Sequence, residues 1–331
     1  MKGKIVLEEH IENPAFPATG EHPFVKDDYF DEVSKKLHDP VILLGEMDEF
    51  GIETTVVSLT QPGIEGIPDA AEAVKVAREQ NDYAYKTYVE PHRGRLLAFA
   101  AVPLQDPKAA ADELERAVTQ LGCVGALVNG YSNIGDEDTA RYLDEPAVLP
   151  FWERVAALKV PVYLHPRIPL KSQTRAFEGY PAMMGAPWGF GRETAEHTIR
   201  LILSGLFDRF PDLTLIIGHM GEALTFTLPR LEHRLRHVKP GAHGAHKMPP
   251  THYLHHNIFI TTSGVFRTSA LIDAMLEIGS DRILFSIDYP YESTAEIAPW
   301  FDACPISEPD RRKIGRDNAR ALFKLDAPAR G

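Results

Sequence analysis

The sequence of 331 residues has only two cysteines, Cys123 and Cys304, and it lacks any long apolar run. Two cysteines cannot build a disulfide framework or a cysteine metal site, and we expect both to be reduced. Because no apolar stretch approaches about 18 residues, no membrane helix is predicted. The first residues, Met1-Lys2-Gly3-Lys4, precede no apolar signal core, so we expect a cytoplasmic protein.

The sequence is also short of positive charge. Its 35 lysines and arginines stand against 47 aspartates and glutamates, which gives a formal net charge of −12. An acidic chain without a basic stripe argues against nucleic acid and acidic membranes as partners. One basic cluster near the end of the chain is predicted to lie on the solvated face of a helix. It consists of Arg311, Arg312, Lys313, Arg316 and Arg320.

The chain does contain a regular alternation of short β-branched runs and amphipathic stretches. Apolar strands that are each followed by a helix are typical of a parallel barrel buried on both faces. The length fits one such barrel, so we predict a single α/β domain over residues 1–331, a (β/α)8 TIM barrel. A doubly wound open sheet is the alternative fold, but no glycine-rich phosphate loop follows the first strand. The predicted strands cover residues 5–7, 54–59, 96–102, 124–128, 161–164, 213–217, 258–262 and 283–286.

Three longer stretches interrupt this alternation. They are rich in proline, glycine, histidine and aromatic residues, and loops of this length are often active-site lids. They cover residues 11–40, 167–191 and 239–257. The predicted helices cover residues 69–89, 108–121, 151–158, 192–207, 222–238, 268–278, 294–302 and 308–323.

Polar side chains follow four of the predicted strands at the point where each strand ends. Glu8 and His10 close the first strand, His165 the fifth, His219 the sixth and Asp288 the eighth. Active sites of such barrels lie at the C-terminal ends of the strands. We therefore expect these groups to meet at one rim of the barrel.

Glu8 and His10 are two residues apart and so face the same side of a strand, whereas Glu9 faces the other side. Buried ionisable groups are costly unless they are paired or bound to a metal ion. Each group alone is explained as well by a satisfied core histidine or a helix cap. Together they predict a metal site. Nitrogen and oxygen ligands without thiolate suit Zn²⁺ or Mn²⁺, and the ligand set does not separate the two.

Longer segments around these residues add a resemblance that covers nearly the whole chain. They include Glu8-Glu9-His10, His165-Pro166-Arg167, Gly218-His219-Met220-Gly221-Glu222 and Ser286-Ile287-Asp288-Tyr289-Pro290, with residues 96–107, 125–130, 260–264 and 313–325. On these segments the chain resembles the amidohydrolase superfamily, in its branch of non-oxidative aromatic decarboxylases. Within that branch it is most similar to enzymes of the γ-resorcylate (2,6-dihydroxybenzoate) and 2,3-dihydroxybenzoate type.

The resemblance implies one divalent metal ion and no organic cofactor. The ion is Zn²⁺ or Mn²⁺ rather than Mg²⁺, and its implied ligands are Glu8, His10, His165 and Asp288. Asp288, His219 and Glu222 are the implied catalytic residues. We expect Asp288 to protonate the ring carbon, His219 to share the proton path, and Glu222 to set the tautomer of His219.

The resemblance also implies substrate contacts. Aromatic walls and polar contacts are expected from Phe24, Trp188, Phe190 and Tyr291, and from Asn129 and Arg230. Ordinary packing explains loop aromatics equally well, and Arg230, on the same predicted helix as Glu222, could form a surface pair instead. Pro229 is expected to mark a kink in that helix. A small aromatic carboxylate is the expected partner, bound by a homodimer or homotetramer.

The implied reaction is reversible decarboxylation of an ortho-hydroxybenzoate to a phenol and CO2. Hydrolytic members commonly open with His-x-His, whereas Glu8-x-His10 resembles the decarboxylase branch. His10 favours the γ-resorcylate type, because fungal relatives tend to carry alanine there, but residues 286–290 resemble the fungal enzymes. The preferred substrate thus stays open. The alternatives are a metal-dependent hydrolase of lactones or amides on the same fold, and a catalytically silent metal-binding barrel.

Overall fold

The chain folds around a parallel sheet, seen in a computed structural model that describes residues 1–16, 25–239 and 241–325. Within these residues the sheet has eight strands, and each strand pairs with the next one in sequence. This is the predicted (β/α)8 barrel. The strands are β1 Lys4–Ile11, β2 Ile52–Leu59, β3 Leu96–Ala100, β4 Gly125–Asn129, β5 Val162–His165, β6 Leu215–Ile217, β7 Ile258–Thr261 and β8 Ile283–Leu284.

Helices return the chain from the end of one strand to the start of the next. They are α1 Asp27–His38, α2 Pro40–Phe50, α3 Ala70–Ala84, α4 Pro107–Gln120, α5 Leu149–Leu158, α6 Gly189–Leu203, α7 Leu206–Arg209, α8 Leu224–Leu235, α9 Pro250–His256, α10 Thr268–Ile278, α11 Thr294–Ala303, α12 Glu308–Arg312 and α13 Asn318–Phe323. Short 3₁₀ or π helices cover Gly63–Gly66, Tyr85–Val89, Pro146–Val148, Lys171–Phe177, Pro181–Met184, Ser280–Arg282 and Lys313–Asp317. A small antiparallel hairpin pairs Ser132–Ile134 with Asp136–Arg141.

Local sequence signals explain where several helices begin and end. Asp39 and Asp106 each precede a proline, and their carboxylates accept backbone N–H groups of the first turn of α2 and α4. Proline suits the first helical position because its missing N–H would have no partner there. Gly51 ends α2 with a φ of 68°, which turns the chain directly into β2.

Two apolar layers cover the two faces of the sheet. The barrel interior holds Leu7, Val56, Phe99, Tyr163 and Ile216, together with other residues from the strands. Their sequence neighbours on the strands belong to a larger cluster between sheet and helices. Both faces are therefore buried, which is why the strands are continuous apolar runs in the sequence.

A β-bulge in β1 sets the direction of the side chains at the end of that strand. Val6 lies opposite Thr55 and Glu9 opposite Val57, so three steps along β1 match two steps along β2. The extra residue shifts the inward and outward alternation beyond Leu7, which itself faces the barrel interior. Glu8 and His10 can consequently face the barrel mouth.

The first and last strands are joined by a side chain. The hydroxyl oxygen of Ser286, just after β8, accepts the backbone N–H groups of Leu7 at 2.9 Å and Glu8 at 2.7 Å. The same hydroxyl donates to Glu9 Oε1 at 3.0 Å. Ser286 thus replaces regular ladder hydrogen bonds at the seam between β8 and β1.

The structure differs from the sequence-based prediction in several elements. Residues 11–40 were predicted as a loop, but they contain the 12-residue helix α1. Residues 222–238 were predicted as one helix, but α8 begins only at Leu224, so Glu222 and Arg230 do not share a helix. The strand predicted at residues 283–286 is two residues long, because the N–H of Phe285 donates to the carbonyl of Ile314 and the N–H of Ser286 donates to the Thr262 hydroxyl instead of to the neighbouring strand.

The C-terminal basic cluster is only partly a solvated face. Arg311 is 6% exposed, and its guanidinium donates to backbone carbonyl oxygens, including that of Cys304 at 2.6 Å. The prediction of an exposed side chain is wrong for this residue, because α12 packs its guanidinium onto the end of α11. Lys313 and Arg320 pair with the carboxylates of Asp281 and Glu53.

The helices and the two cysteines have simple properties. Among the residues that it describes, no helix combines the length and apolar character needed to cross a bilayer. Cys123 and Cys304 are both free and both buried.

Candidate metal centre

Four side chains from distant parts of the chain converge at the C-terminal end of the barrel. Glu8 and His10 come from β1, His165 is the last residue of β5, and Asp288 follows β8. One ligand atom from each lies within 4.8 Å of the other three. Ligand bonds of about 2.1 Å separate two ligands of one ion by at most roughly 4.2 Å. Small side-chain adjustments are therefore enough for all four to reach one ion.

The atoms of this group fit a divalent cation. Glu8 Oε1, His10 Nε2 and Asp288 Oδ1 are buried and have no hydrogen-bond partner among the described residues. His10 Nε2 lies 3.2 Å from Asp288 Oδ1, and His165 Nε2 lies 3.7 Å from Glu8 Oε1. Buried polar atoms without partners are costly. A shared cation would satisfy all of them at once.

Hydroxyl groups hold the other oxygen of Glu8. Oε2 accepts hydrogen bonds from the hydroxyls of Tyr163 and Ser263, and from Thr261 at 3.0 Å. Burial raises the pKa of Glu8, and a bound cation would oppose that effect. The hydroxyls leave Oε1 free to act as a ligand. Sequence reasoning missed all three, because none of them looks like a metal ligand.

His165 is held as a neutral imidazole. Its Nδ1 lies 2.8 Å from Asn129 Oδ1, which leaves Nε2 to face the other ligands. Burial, helped by the nearby imidazole of His10, lowers the pKa of His165 well below its usual value. A neutral ring with a free nitrogen is the form that binds metal ions.

Glu9 lies between two ligands but faces the seam of the barrel, as expected. Its carboxylate accepts the backbone N–H groups of Ile287 at 3.1 Å and Tyr289 at 2.8 Å. These two residues flank Asp288, whose own φ is +80°. Glu9 therefore holds the backbone on both sides of Asp288. This stabilises Asp288 in a backbone conformation that residues other than glycine rarely adopt.

His219 stands at the start of a left-handed turn. The φ angles of His219, Met220, Gly221, Glu222 and Ala223 are 48°, 56°, 77°, 52° and 60°. Left-handed conformation costs about 1–2 kcal/mol for each residue that is not glycine. Such strain is typical of functional sites, where the surrounding structure enforces it.

The left-handed turn places His219 between two carboxylates. Its Nδ1 lies 2.7 Å from Glu222 Oε1, and its Nε2 lies 3.5 Å from Asp288 Oδ2. Burial lowers the pKa of His219, but Glu222 and Glu8 outweigh it and raise the pKa well above the usual value. Burial raises the pKa of Asp288, but the imidazoles of His10 and His219 outweigh it and hold that pKa low. A protonated His219 thus faces an ionised Asp288.

Gly218, just before this turn, allows the end of β6 to approach the carboxylate of Glu8 closely. A Cβ atom at this position would lie 2.6 Å from Glu8 Oε1 and 2.8 Å from Glu8 Oε2. Any larger residue would collide with the carboxylate. The glycine before His219 is therefore required by the position of Glu8.

The structure places the predicted substrate contacts unequally. The ring centroid of Tyr291 lies 5.7 Å from that of His10, so Tyr291 borders the metal centre. Phe190 lies in the first turn of α6. This turn is close to Glu222, because a Cβ atom on Gly191 would lie 2.6 Å from Glu222 Oε2.

The remaining predicted contacts are less closely tied to the centre. Trp188 is 59% exposed at the start of α6, and Arg230 is exposed on α8. The amide of Asn129 is engaged with His165 and with Glu65, a residue that sequence reasoning did not select. Phe24 lies outside the described residues.

Comparison with known proteins decides the family. A family model described as amidohydrolase matches residues 22–325. The chain belongs to the amidohydrolase family. The predicted family is thereby confirmed. One relative in this family, the γ-resorcylate decarboxylase of Rhizobium sp. (strain MTP-10005), is 49% identical over 329 residues, which cover 98% of this chain and 99% of that protein.

Solved structures of amidohydrolase relatives share the fold. A crystal structure of 2,6-dihydroxybenzoate decarboxylase complexed with 2,6-dihydroxybenzoate has a TM-score of 0.94 and 48% identity, covering 98% of this chain and 100% of that one. A dihydroxybenzoic acid decarboxylase from Polaromonas sp. JS666, with bound manganese and the inhibitor 2-nitroresorcinol, has a TM-score of 0.95 and 46% identity, covering 99% and 98%. These relatives confirm the predicted barrel.

Proposed function

We propose that this chain catalyses the non-oxidative, metal-dependent and reversible decarboxylation of an ortho-hydroxybenzoate, with γ-resorcylate as the preferred substrate. The chain is a carboxy-lyase of the amidohydrolase family. The observation that carries the substrate assignment is identity of 47–49% to γ-resorcylate decarboxylases over nearly the full length. The alternative, a metal-dependent hydrolase of lactones or amides, is not supported, because the relatives similar over most of the chain are decarboxylases.

Mn²⁺ is the metal we propose, held by Glu8, His10, His165 and Asp288. The manganese in the Polaromonas relative supports that choice over Zn²⁺, and the oxygen and nitrogen donors of this chain suit either ion. A bound divalent ion would supply a Lewis acid that orients the phenol and carboxylate oxygens and lowers the phenol pKa.

Asp288 is the proposed acid. Breaking the bond between ring and carboxylate leaves an electron pair on the ring carbon, and CO2 departs. Because Asp288 is ionised beside the protonated His219, its carboxyl group must first receive a proton from His219. The ring carbon then takes the proton from Asp288, so one proton enters the product for each CO2 released. His219 Nε2, 3.5 Å from Asp288 Oδ2, is placed to return the proton to Asp288.

The aromatic substrate would lie between the metal centre and the side chains at the rim. We propose Tyr291, Phe190, Trp188 and Phe24 as walls that exclude water, and Asn129 and Arg230 as polar contacts. Tyr291 has the strongest support, since its hydroxyl is anchored by Thr60 Oγ1 at 2.5 Å. We also propose that the chain acts in the cytoplasm as a single-domain protomer of a homodimer or homotetramer.

A substrate panel tests the proposed function. Protein of measured metal content is incubated with 2,6-dihydroxybenzoate, 2,3-dihydroxybenzoate and salicylate, and separately with aromatic lactones. We expect CO2 and resorcinol from 2,6-dihydroxybenzoate, at the highest kcat/KM of the panel. Lactone opening by the manganese-loaded protein, without CO2 release from any hydroxybenzoate, would overturn the proposal.

The acid assignment is tested by Asp288→Asn. An amide cannot supply the carboxyl proton, so we expect kcat to fall by at least about 10²-fold. Circular dichroism and the Tm of the metal-free protein are expected to stay close to those of the wild type. Asp281→Asn, an exposed aspartate paired with Lys313, is the control and should retain full turnover. An Asp288→Asn enzyme with wild-type kcat would exclude Asp288 as the acid.

A further inference from the structure

We propose that Glu65 is a positioning residue of the metal centre, which acts through Asn129 to set the tautomer of His165. The inference rests on the proposed metal site but not on the reaction that the site performs. It concerns a residue that neither touches the ligand cluster nor lies near it in sequence.

Glu65 is a buried carboxylate directed at one partner residue. It lies in the turn Gly63–Gly66 after β2 and is 1% exposed. Its Oε1 accepts the backbone N–H of Asn129 at 3.1 Å, and its Oε2 accepts the side-chain amide of Asn129 at 3.3 Å. Asn129 is thus held through both its main chain and its side chain.

The carboxylate determines which way the Asn129 amide points. Burial raises the pKa of Glu65 to about 7, so above that pH its carboxylate is ionised and can only accept hydrogen bonds. The Nδ2 group of Asn129 must then face Glu65. The carbonyl Oδ1 then faces His165 Nδ1, 2.8 Å away. Because that oxygen carries no hydrogen, Nδ1 must be the protonated nitrogen of His165. Nε2 keeps its lone pair and points towards the other ligands.

The same Glu–Asn arrangement occurs elsewhere in the chain without a metal ligand. Asn81 Nδ2 donates to Glu113 Oε1 at 2.7 Å, and Asn81 Oδ1 accepts the backbone N–H of Ala101 at 2.8 Å. There the carboxylate orients an amide whose oxygen accepts a backbone N–H group instead of facing a histidine ring. Glu113 consequently offers a matched control, because it is also buried and also paired with an asparagine.

The test replaces the carboxylate by an amide in both places. In Glu65→Gln the new side chain can donate as well as accept, so the Asn129 amide can reverse and direct its NH2 group at His165 Nδ1. That orientation favours the tautomer with the proton on Nε2. A protonated Nε2 has no lone pair with which to bind the metal ion. We expect the Kd for Mn²⁺, measured by competition with a chelator, to rise about 10- to 100-fold. Glu113→Gln should keep the wild-type Kd.

A second readout follows the tautomer itself. In metal-free protein with labelled histidine, the ¹⁵N resonances of His165, identified by their loss in His165→Gln, report which nitrogen carries the proton. The wild type should show Nδ1–H, and Glu65→Gln should show a shift towards Nε2–H. A merely structural role of Glu65 would not change this ratio.

The outcomes separate this inference from the proposed function. Unchanged Mn²⁺ affinity and an unchanged tautomer in Glu65→Gln would overturn the role of Glu65. If that variant does not fold, Nε2–H as the main form in the metal-free wild type overturns it equally, and Nδ1–H supports it. Wild-type protein that binds Mn²⁺ no better than His165→Gln would instead remove the metal site on which the proposed function depends.

Discussion

At the scale of single residues, the environment rather than the residue type assigns each role. Glu8 and Glu9 are adjacent glutamates, both fully buried, and burial raises the pKa of each. Glu8 meets hydroxyl groups and imidazoles, and it has one oxygen without a partner. Glu9 meets backbone N–H groups of the segment around Asp288. The Glu8 carboxylate is therefore available to a metal ion, whereas the Glu9 carboxylate fixes the backbone around Asp288.

The pair formed by His219 and Glu222 predicts a pH effect. The Glu222 carboxylate helps to raise the pKa of His219, so the imidazole keeps its proton to higher pH than an ordinary histidine. Without that carboxylate the pKa falls, and the protonated form is lost at lower pH. In Glu222→Gln we therefore expect the basic limb of the kcat profile to move to lower pH. At a pH above neutrality kcat should fall by about 10- to 100-fold.

Glu196→Gln is the control for that measurement. Glu196 lies on α6 and pairs with Arg192 at the exposed surface. The kcat profile of Glu196→Gln against pH should therefore match that of the wild type. If the basic limb of Glu222→Gln stayed at the wild-type position, His219 would not be the group that titrates.

At the scale of elements, the end of β1 is the most constrained part of the barrel. The bulge between Val6 and Glu9 turns Glu8 and His10 towards the mouth. On the other side of β1, the Ser286 hydroxyl accepts hydrogen bonds from the backbone N–H groups of Leu7 and Glu8. These hydrogen bonds take the place of a regular ladder with β8. Strand direction, seam and ligand position are therefore coupled in a few residues.

Removal of the Ser286 hydroxyl should destabilise the barrel. In Ser286→Ala the N–H groups of Leu7 and Glu8 stay buried without their acceptor, which costs about 1–3 kcal/mol for each group. We expect the free energy of unfolding in urea to fall by about 2–6 kcal/mol. Ser269→Ala removes an exposed hydroxyl on α10 and should change it by less than about 0.5 kcal/mol. Equal stability of the two variants would mean that the seam does not depend on Ser286.

At the scale of the whole molecule, the metal centre joins segments far apart in the chain. Its four residues span positions 8 to 288 and come from the first strand, the fifth strand and the segment after the last strand. A ligand that binds only the folded state stabilises it by mass action. A metal ion at this centre should consequently stabilise the entire barrel.

Added Mn²⁺ should therefore raise the Tm of the metal-free protein. At a metal concentration of 100 Kd the stabilisation is about 2.7 kcal/mol, which corresponds to roughly 4 °C for a domain of this size. Calorimetry with and without a chelator measures the shift, and His165→Gln should abolish it. If the Tm of the wild type did not change on addition of Mn²⁺, this result would contradict a metal centre in the folded protein.

Much of the fold was predictable because its signals are local. Short apolar runs separated by amphipathic stretches identify a parallel barrel, and strand ends identify the rim where functional groups gather. The structure contains each predicted strand, and it brings Glu8, His10, His165 and Asp288 together. The helix α1 was missed, because it lies in a stretch rich in proline and aromatic residues.

The sequence by itself thus determined the barrel, the family and the residue types at the rim. Only the tertiary structure decided how those residues are held: the bulge before Glu9, the hydroxyls of Tyr163 and Ser263 on Glu8, and the link from Glu65 to His165. The reason is physical. A strand pattern repeats every two residues and is legible along the chain. By contrast, a register shift or a hydrogen bond between residues dozens to hundreds of positions apart exists only once the strands have paired.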